Sequence, residues 1–182
     1  MRRIVGIPRR RSRLAVAVAG ILAMSAAALL CHPPAGSNGS GLRPAAAASE
    51  YAREVGSLAG RGLVLAPGWR WPAGGPAFAA AGPDGAPMEY EKGYGAVRAD
   101  AYWFYSWASR AVTVNDPSAR RRALEQLLRV RGTMLYRKRL PEDRASTLQM
   151  LERAQHGDLE PLRLWVRVNE PAEALREVRD GR

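Results

Sequence analysis

Tyr102, Trp103, Phe104, Tyr105 and Trp107 fall within six consecutive positions of a stretch, residues 96–112, that is apolar on every side. A surface helix keeps a polar face toward water, so a helix apolar all round belongs in the middle of a bundle. Five neighbouring aromatics can all be buried only if partners cover every side of the helix. The stretch therefore predicts a mainly α-helical fold around one central helix.

The flanking sequence supplies the partners. Residues 50–59 have helical spacing through Tyr51, Val55 and Leu58, with Gly60 and Gly62 as terminators. Asp116 before Pro117 is an N-cap with proline at the first helical position. It opens a helix carrying Leu124, Leu127, Leu128, Met134 and Leu135, with arginines on its other face. Pro141 with Glu142 and Asp143 starts another helix, running through Leu148 and Leu151 to His156 and ending at Gly157. Asp158 caps a short segment with Leu162, Trp165 and Val166. The alternation Leu162, Leu164, Val166, Val168 also suits a strand. A last short helix is expected over residues 171–178.

Between residues 63 and 76 the chain reads as a loop holding Trp69 and Trp71 among prolines. Gly82-Pro83-Asp84-Gly85 places Pro and Gly where a turn wants them, between residues 78–81 and 88–91. A small β-hairpin is expected there, with Met88 and Tyr90 on one face and Glu89 and Glu91 on the other. Residues 50–182 are thus expected to form a single domain, a compact helical bundle of four to six helices with a small hairpin.

Ahead of it stands an export segment. Arg2, Arg3, Arg9, Arg10, Arg11 and Arg13 precede an uncharged apolar run, residues 14–30, the charged and apolar regions of a secretory leader. Seventeen helical residues reach roughly 26 Å, short of a hydrocarbon core of about 30 Å. Residues 1–30 are therefore expected to be a signal peptide, or a signal anchor if uncleaved. Residues 31–49, rich in Pro, Gly, Ser and Ala, are expected to form a disordered linker. Small residues at Ala26-Ala27-Ala28 and Ala46-Ala47-Ala48 offer cleavage sites, and Cys31, the only cysteine, is a candidate for lipidation despite Leu29-Leu30 before it. The protein is expected outside the cell or at the outer face of the cytoplasmic membrane.

The leader also explains most of the charge. Of 28 Lys and Arg, seven lie in residues 1–48, where there is no acid; 28 − 7 leaves 21 against 17 Asp and Glu, about +4 instead of +11. Nucleic acid is not an expected partner of so mildly basic an exported body. A lone cysteine allows no internal disulfide.

Chemistry is sparsely provided for. Nucleophilic catalysis usually needs a histidine base, and beyond the leader and linker only His156 remains, at a helix end. Too few Cys and His are present for a zinc site, so no metal is expected. Gly74-Gly75 and Gly93-Tyr94-Gly95 lack the spacing of a phosphate loop, and no cofactor is expected. Paired carboxylates are the best enzymatic set: Glu89 and Glu91 flank Tyr90, with Asp100 needed as the opposing group of a glycan hydrolase. Two residues apart on one strand, Glu89 and Glu91 would project in parallel, which argues partly against catalysis.

The stronger feature is aromatic. Trp69, Trp71, Tyr90 and Tyr94 are candidate ligand-binding residues, since aromatic side chains dominate both cores and interfaces. The basic runs Arg120-Arg121-Arg122 and Arg137-Lys138-Arg139 read as solvated faces, or as contacts for anionic wall polymer or lipid headgroups. The sequence thus favours a non-catalytic exported binding domain over a small hydrolase. Its expected partners are a cell-wall glycan, an envelope polymer or another exported protein, with membrane contact through the N-terminal segment if that is uncleaved.

Overall fold

The central helix is present. Helix α2, Tyr94–Thr113, buries every residue from 102 to 108, with Trp103 and Phe104 among the most deeply buried side chains. The computed structural model describes residues 41–171; the leader, Cys31 and all but the first residue of the helix expected over 171–178 lie outside the described residues. Five further helices are described: α1 (Pro44–Gly60), α3 (Pro117–Leu128), α4 (Met134–Arg137) and α6 (Glu160–Val168) pack on α2, and α5 (Pro141–Gln155) packs on α3 and α6. A 3-10 turn, Arg129–Gly132, joins α3 to α4. The fold is mainly helical, as the aromatic stretch requires.

Each side of α2 has a cover. α1 lies against its N-terminal half so closely that a Cβ on Gly95 would sit 2.7 Å from the Tyr51 amide nitrogen. α6 brings the Trp165 ring to 4.9 Å from Phe104, edge to face. Ala111, Leu124, Leu127, Leu151 and Leu162 complete one continuous core. A smaller cluster, Ala47, Tyr90 and Tyr94 with Leu42, Phe78 and Met88 against it, fills the end near the start of α2.

The expected caps form where the signal is local. Asp116 accepts from the amides of Ser118 (3.1 Å) and Ala119 (3.0 Å), opening α3 behind Pro117. Gly157, at φ +93°, follows the end of α5, a left-handed turn that only glycine enters without strain. Residues 160–168 are helical, so the alternation of Leu162 to Val168 does not make a strand.

Three expectations differ from the structure. α1 starts at Pro44, inside the stretch expected to be linker: proline takes the first helical position and Ala45 to Ala48 continue it, alanine being the strongest helix former. The helix expected to run from Pro117 through Leu135 ends at Leu128 and tightens into the 3-10 turn to Gly132, and Thr133 caps a new one, its hydroxyl donating to the Val130 carbonyl (2.6 Å) and accepting the Tyr136 amide (3.3 Å).

The hairpin is the third. The turn at Gly82 forms, with Gly85 N–H donating to the Gly82 carbonyl (2.9 Å) and Met88 N–H to the Ala80 carbonyl (3.0 Å). Pairing stops at an isolated Ala81–Pro87 bridge, and no strand extends from it among the described residues. Pro87 has no amide to donate. Tyr90 pairs instead with Leu42, just ahead of α1, through reciprocal bonds of 2.7 and 2.8 Å.

Candidate functional site

The loop over residues 61–76 is held on α2 by four consecutive contacts from one side of that helix. Trp103 and Trp107, one turn apart, both donate their indole N–H to the Val64 carbonyl, at 3.1 and 2.8 Å. Ser106 Oγ accepts the Ala66 amide at 3.2 Å and donates to the Trp103 carbonyl at 2.7 Å. The Tyr102 hydroxyl donates to the Arg70 carbonyl at 3.1 Å. A buried indole or hydroxyl needs a partner, and the irregular loop supplies carbonyls that no helix ladder has used.

These bonds set the positions of Trp69 and Trp71. Trp69 stands edge-on to Tyr102 (5.8 Å) and to Tyr105 (5.6 Å), in the offset geometry that ring quadrupoles favour. Trp71 lies 5.6 Å from Tyr102 at 34° and 6.3 Å from Tyr51 at 86°. Both indoles are half-buried, Trp69 against rings of α2 and Trp71 against rings of α2 and α1. Burial pushes the Tyr105 phenol up to about 12, with the negative charge of Glu170 adding to it, so this spacer between rings stays neutral.

The edge extends to a residue that the sequence did not single out as a binding group. Trp165 of α6 is half-buried and 6.3 Å from Tyr105, so Trp71, Tyr102, Trp69, Tyr105 and Trp165 follow one another ring to ring. The spacing of Tyr102 and Tyr105, one turn apart on α2, was the signal available for this.

Tyr90 and Tyr94 are placed elsewhere. They are 4% and 7% exposed, 5.0 Å apart, and packed on Phe78 in the smaller cluster. The Tyr90 hydroxyl donates to the Ala79 carbonyl at 2.9 Å. Here the two rings act as core, and the four candidate aromatics do not converge on one surface.

The carboxylates are divided as well. Glu89 and Glu91 are exposed while Tyr90 between them is buried, so the alternation expected of a strand holds without one. Glu91 is ion-paired with Lys138, whose ammonium also donates to the Lys92 carbonyl at 2.6 Å. Asp100 is fully buried, and its Oδ2 accepts the Leu135 amide at 3.0 Å at the start of α4. A ligand reaching Glu89 and Glu91 from solvent does not meet Asp100. His156 is exposed just past the end of α5. Among the described residues no group of three His, Cys, Asp or Glu is placed to hold a metal ion, and no helix is long and apolar enough to cross a membrane.

Several basic side chains are spent on helix ends. Arg120 donates to the Ala111 (3.2 Å) and Val114 (2.6 Å) carbonyls, closing the C-terminus of α2. Arg129 does the same for α1 through the Arg61 (2.8 Å) and Gly62 (3.0 Å) carbonyls. Orphan carbonyls and the negative end of the helix dipole both favour a guanidinium there. Arg139 turns to Thr147 (3.2 Å), whereas Arg121, Arg122 and Arg137 remain exposed. No family model, curated protein or solved structure matches this chain.

Proposed function

We propose that the protein is exported by its arginine-led leader and that its helical body is a non-catalytic binding domain, which engages a cell-wall glycan or another envelope polymer through the Trp69–Trp71 loop. The observation that carries this reading is the pair of half-buried indoles fixed on α2 by hydrogen bonds to the loop backbone. Rings held in place before a ligand arrives lose little side-chain entropy on binding, and their faces suit the apolar faces of sugar rings. Binding through Tyr90 and Tyr94 has no comparable support, because both rings are covered. The hydrolase reading needs Asp100 opposite Glu89 and Glu91, and the burial of Asp100 withholds that support.

The test is co-sedimentation of the exported protein with insoluble peptidoglycan, alongside an assay for released reducing ends. Trp69→Ala and Trp71→Ala are each expected to weaken sedimentation at least fivefold in protein that remains folded, while Glu89→Gln and Glu91→Gln sediment as wild type and no ends are released. Turnover by the wild type that Glu89→Gln or Glu91→Gln abolishes would establish the hydrolase instead. The intact mass of protein recovered outside the cytoplasm reports the leader: loss of residues 1–28 or 1–48, or acylation at Cys31, fits export, and an intact chain found soluble inside the cell refutes it.

A further inference from the structure

The junction of α1, α2 and α4 contains a sealed carboxylate with no cation bonded to it. Asp100 Oδ2 takes the Leu135 amide, and Oδ1, equally buried, has no hydrogen-bond partner among the described residues. From α1 it is faced by Glu54 and Arg61, which are ion-paired with each other. Arg61 also donates to the Gly132 carbonyl at 2.8 Å, at the break before α4. From α4 the backbone of Leu135 and Met134 is turned toward it. The other cations nearby in the chain include Arg129, spent on the end of α1, Arg131 and Arg137, both exposed, Lys138, paired with Glu91, Arg139, turned to Thr147, and Arg98, half-buried on α2 itself.

A buried acid without a bonded counter-ion is accommodated as the neutral carboxyl and penalised heavily as the anion. We propose that Asp100 is a proton-operated latch on residues 129–138: while neutral it seals the junction and fixes the start of α4, and on ionising it opens the junction to water and loosens the connector between α3 and α5. That connector carries the exposed Arg131 and Arg137, so the latch controls how firmly a basic segment is presented.

The direction of the pH dependence follows from the surroundings. Burial, the largest influence, raises the Asp100 carboxyl from 3.8 to about 7; the Leu135 amide pulls it down and the Glu54 charge pushes it up. The closed form thus holds its proton more tightly than a water-exposed form does. Between those two values opening releases one proton, so the opening equilibrium grows up to about tenfold per pH unit and is level above about 7.

Amide hydrogen exchange of the full chain across this range tests the latch. The protection factor of Leu135, corrected for the intrinsic rate, is expected to fall with rising pH up to about 7 and then stay level. In Asp100→Asn, whose neutral carbonyl can still accept the Leu135 amide, it is expected to be flat. Glu54→Gln removes the repelling charge and is expected to move the levelling point to lower pH. A flat wild-type profile, or the same slope in Asp100→Asn, overturns the proposal. If Asp100→Asn does not fold, the side-chain carboxyl shift of Asp100 in the wild type decides: a midpoint near 3.8 refutes the latch and one near neutrality sustains it.

Discussion

Gly95→Ala sets two effects of opposite sign against each other. In a helix the exchange of glycine for alanine is favourable by at most about 1 kcal/mol, because alanine loses less backbone entropy. At Gly95 the added methyl would lie 2.7 Å from the Tyr51 nitrogen and 2.8 Å from Glu50 Cβ, and closer still to the Ala47 carbonyl oxygen. Two of those three atoms are α1 backbone, which no side-chain rotation can clear, so α1 must lift off α2.

Overpacking of this kind costs about 1–3 kcal/mol, and a backbone obstacle places Gly95 at the upper end. Displacing α1 also stretches the bonds that the Gly93 amide donates to the Glu50 carboxylate, 2.9 and 3.0 Å, at the start of α2; a weakened cap adds about 1 kcal/mol. Against the propensity gain, the net expectation is a loss of about 3 kcal/mol. Gly56→Ala is the internal control: it lies in the same pair of helices, on α1, and its new methyl meets nothing within 4 Å. It should gain about 0.5–1 kcal/mol. Urea unfolding, with midpoints compared at unchanged slope, reads both. A Gly95→Ala protein as stable as wild type would mean that α1 does not approach α2 as described, and the packing account would fall.

Glu50→Ala removes the carboxylate that receives the Gly93 amide and should lower stability by about 1–2 kcal/mol in the same assay. Trp107→Phe takes away one of the two indole donors on the Val64 carbonyl and should cost about 1–2 kcal/mol; loop protection against proteolysis over residues 61–76 should fall with it. Asp116 is held below the usual carboxylate range, first by the Ser118 hydroxyl and then by the Ser118 and Ala119 amides, and Asp158 is held down chiefly by Arg153. A lowered acid stabilises above its unfolded value of 3.8 and loses that contribution as pH falls through its folded value, so the midpoint difference between wild type and Asp116→Ala should narrow in strong acid to what the neutral cap retains.

What was legible in the chain was what neighbours in sequence determine. The aromatic stretch identified α2 as the centre because no other placement covers five such rings. Asp116-Pro117 marked the start of α3, since a cap needs only the next three residues. The start of α1 was obscured by composition: Pro44 and the alanines after it resemble linker by content but read as a helix start by order. The break between α3 and α4 carries one local signal, Gly132 followed by the capping Thr133, but its other support, the Asp100 carboxylate that receives the Leu135 amide, stands 35 positions back and was not legible. The hairpin failed for a similar reason, with Tyr90 taken by Leu42, which precedes it by nearly fifty residues. The arginine runs read as solvated faces, which holds for Arg121, Arg122 and Arg137; Arg120 departs from it because the carbonyls it closes belong to the end of α2, and Arg139 because it turns to Thr147.

The candidate site follows from the same burial problem. A tryptophan buried inside a bundle has an N–H that its own helix cannot satisfy, since the helix carbonyls are already engaged. Trp103 and Trp107 therefore require an acceptor from outside α2, and a chain segment with spare carbonyls has to lie across them. Residues 61–76 meet that need with Val64, and Tyr102 adds Arg70. The loop bearing Trp69 and Trp71 is thus pinned by the core it covers, and both half-buried indoles are set in place by bonds that serve stability. In the proposed reading, recognition uses rings already immobilised by folding, so the ordering cost of about 0.5–1.5 kcal/mol per side chain at an interface has been met before any ligand binds. The expected consequence is that Trp103→Phe or Trp107→Phe, at positions beneath the loop, weakens glycan sedimentation by loosening Trp69 and Trp71, whereas Arg121→Ala, exposed on α3, leaves it unchanged.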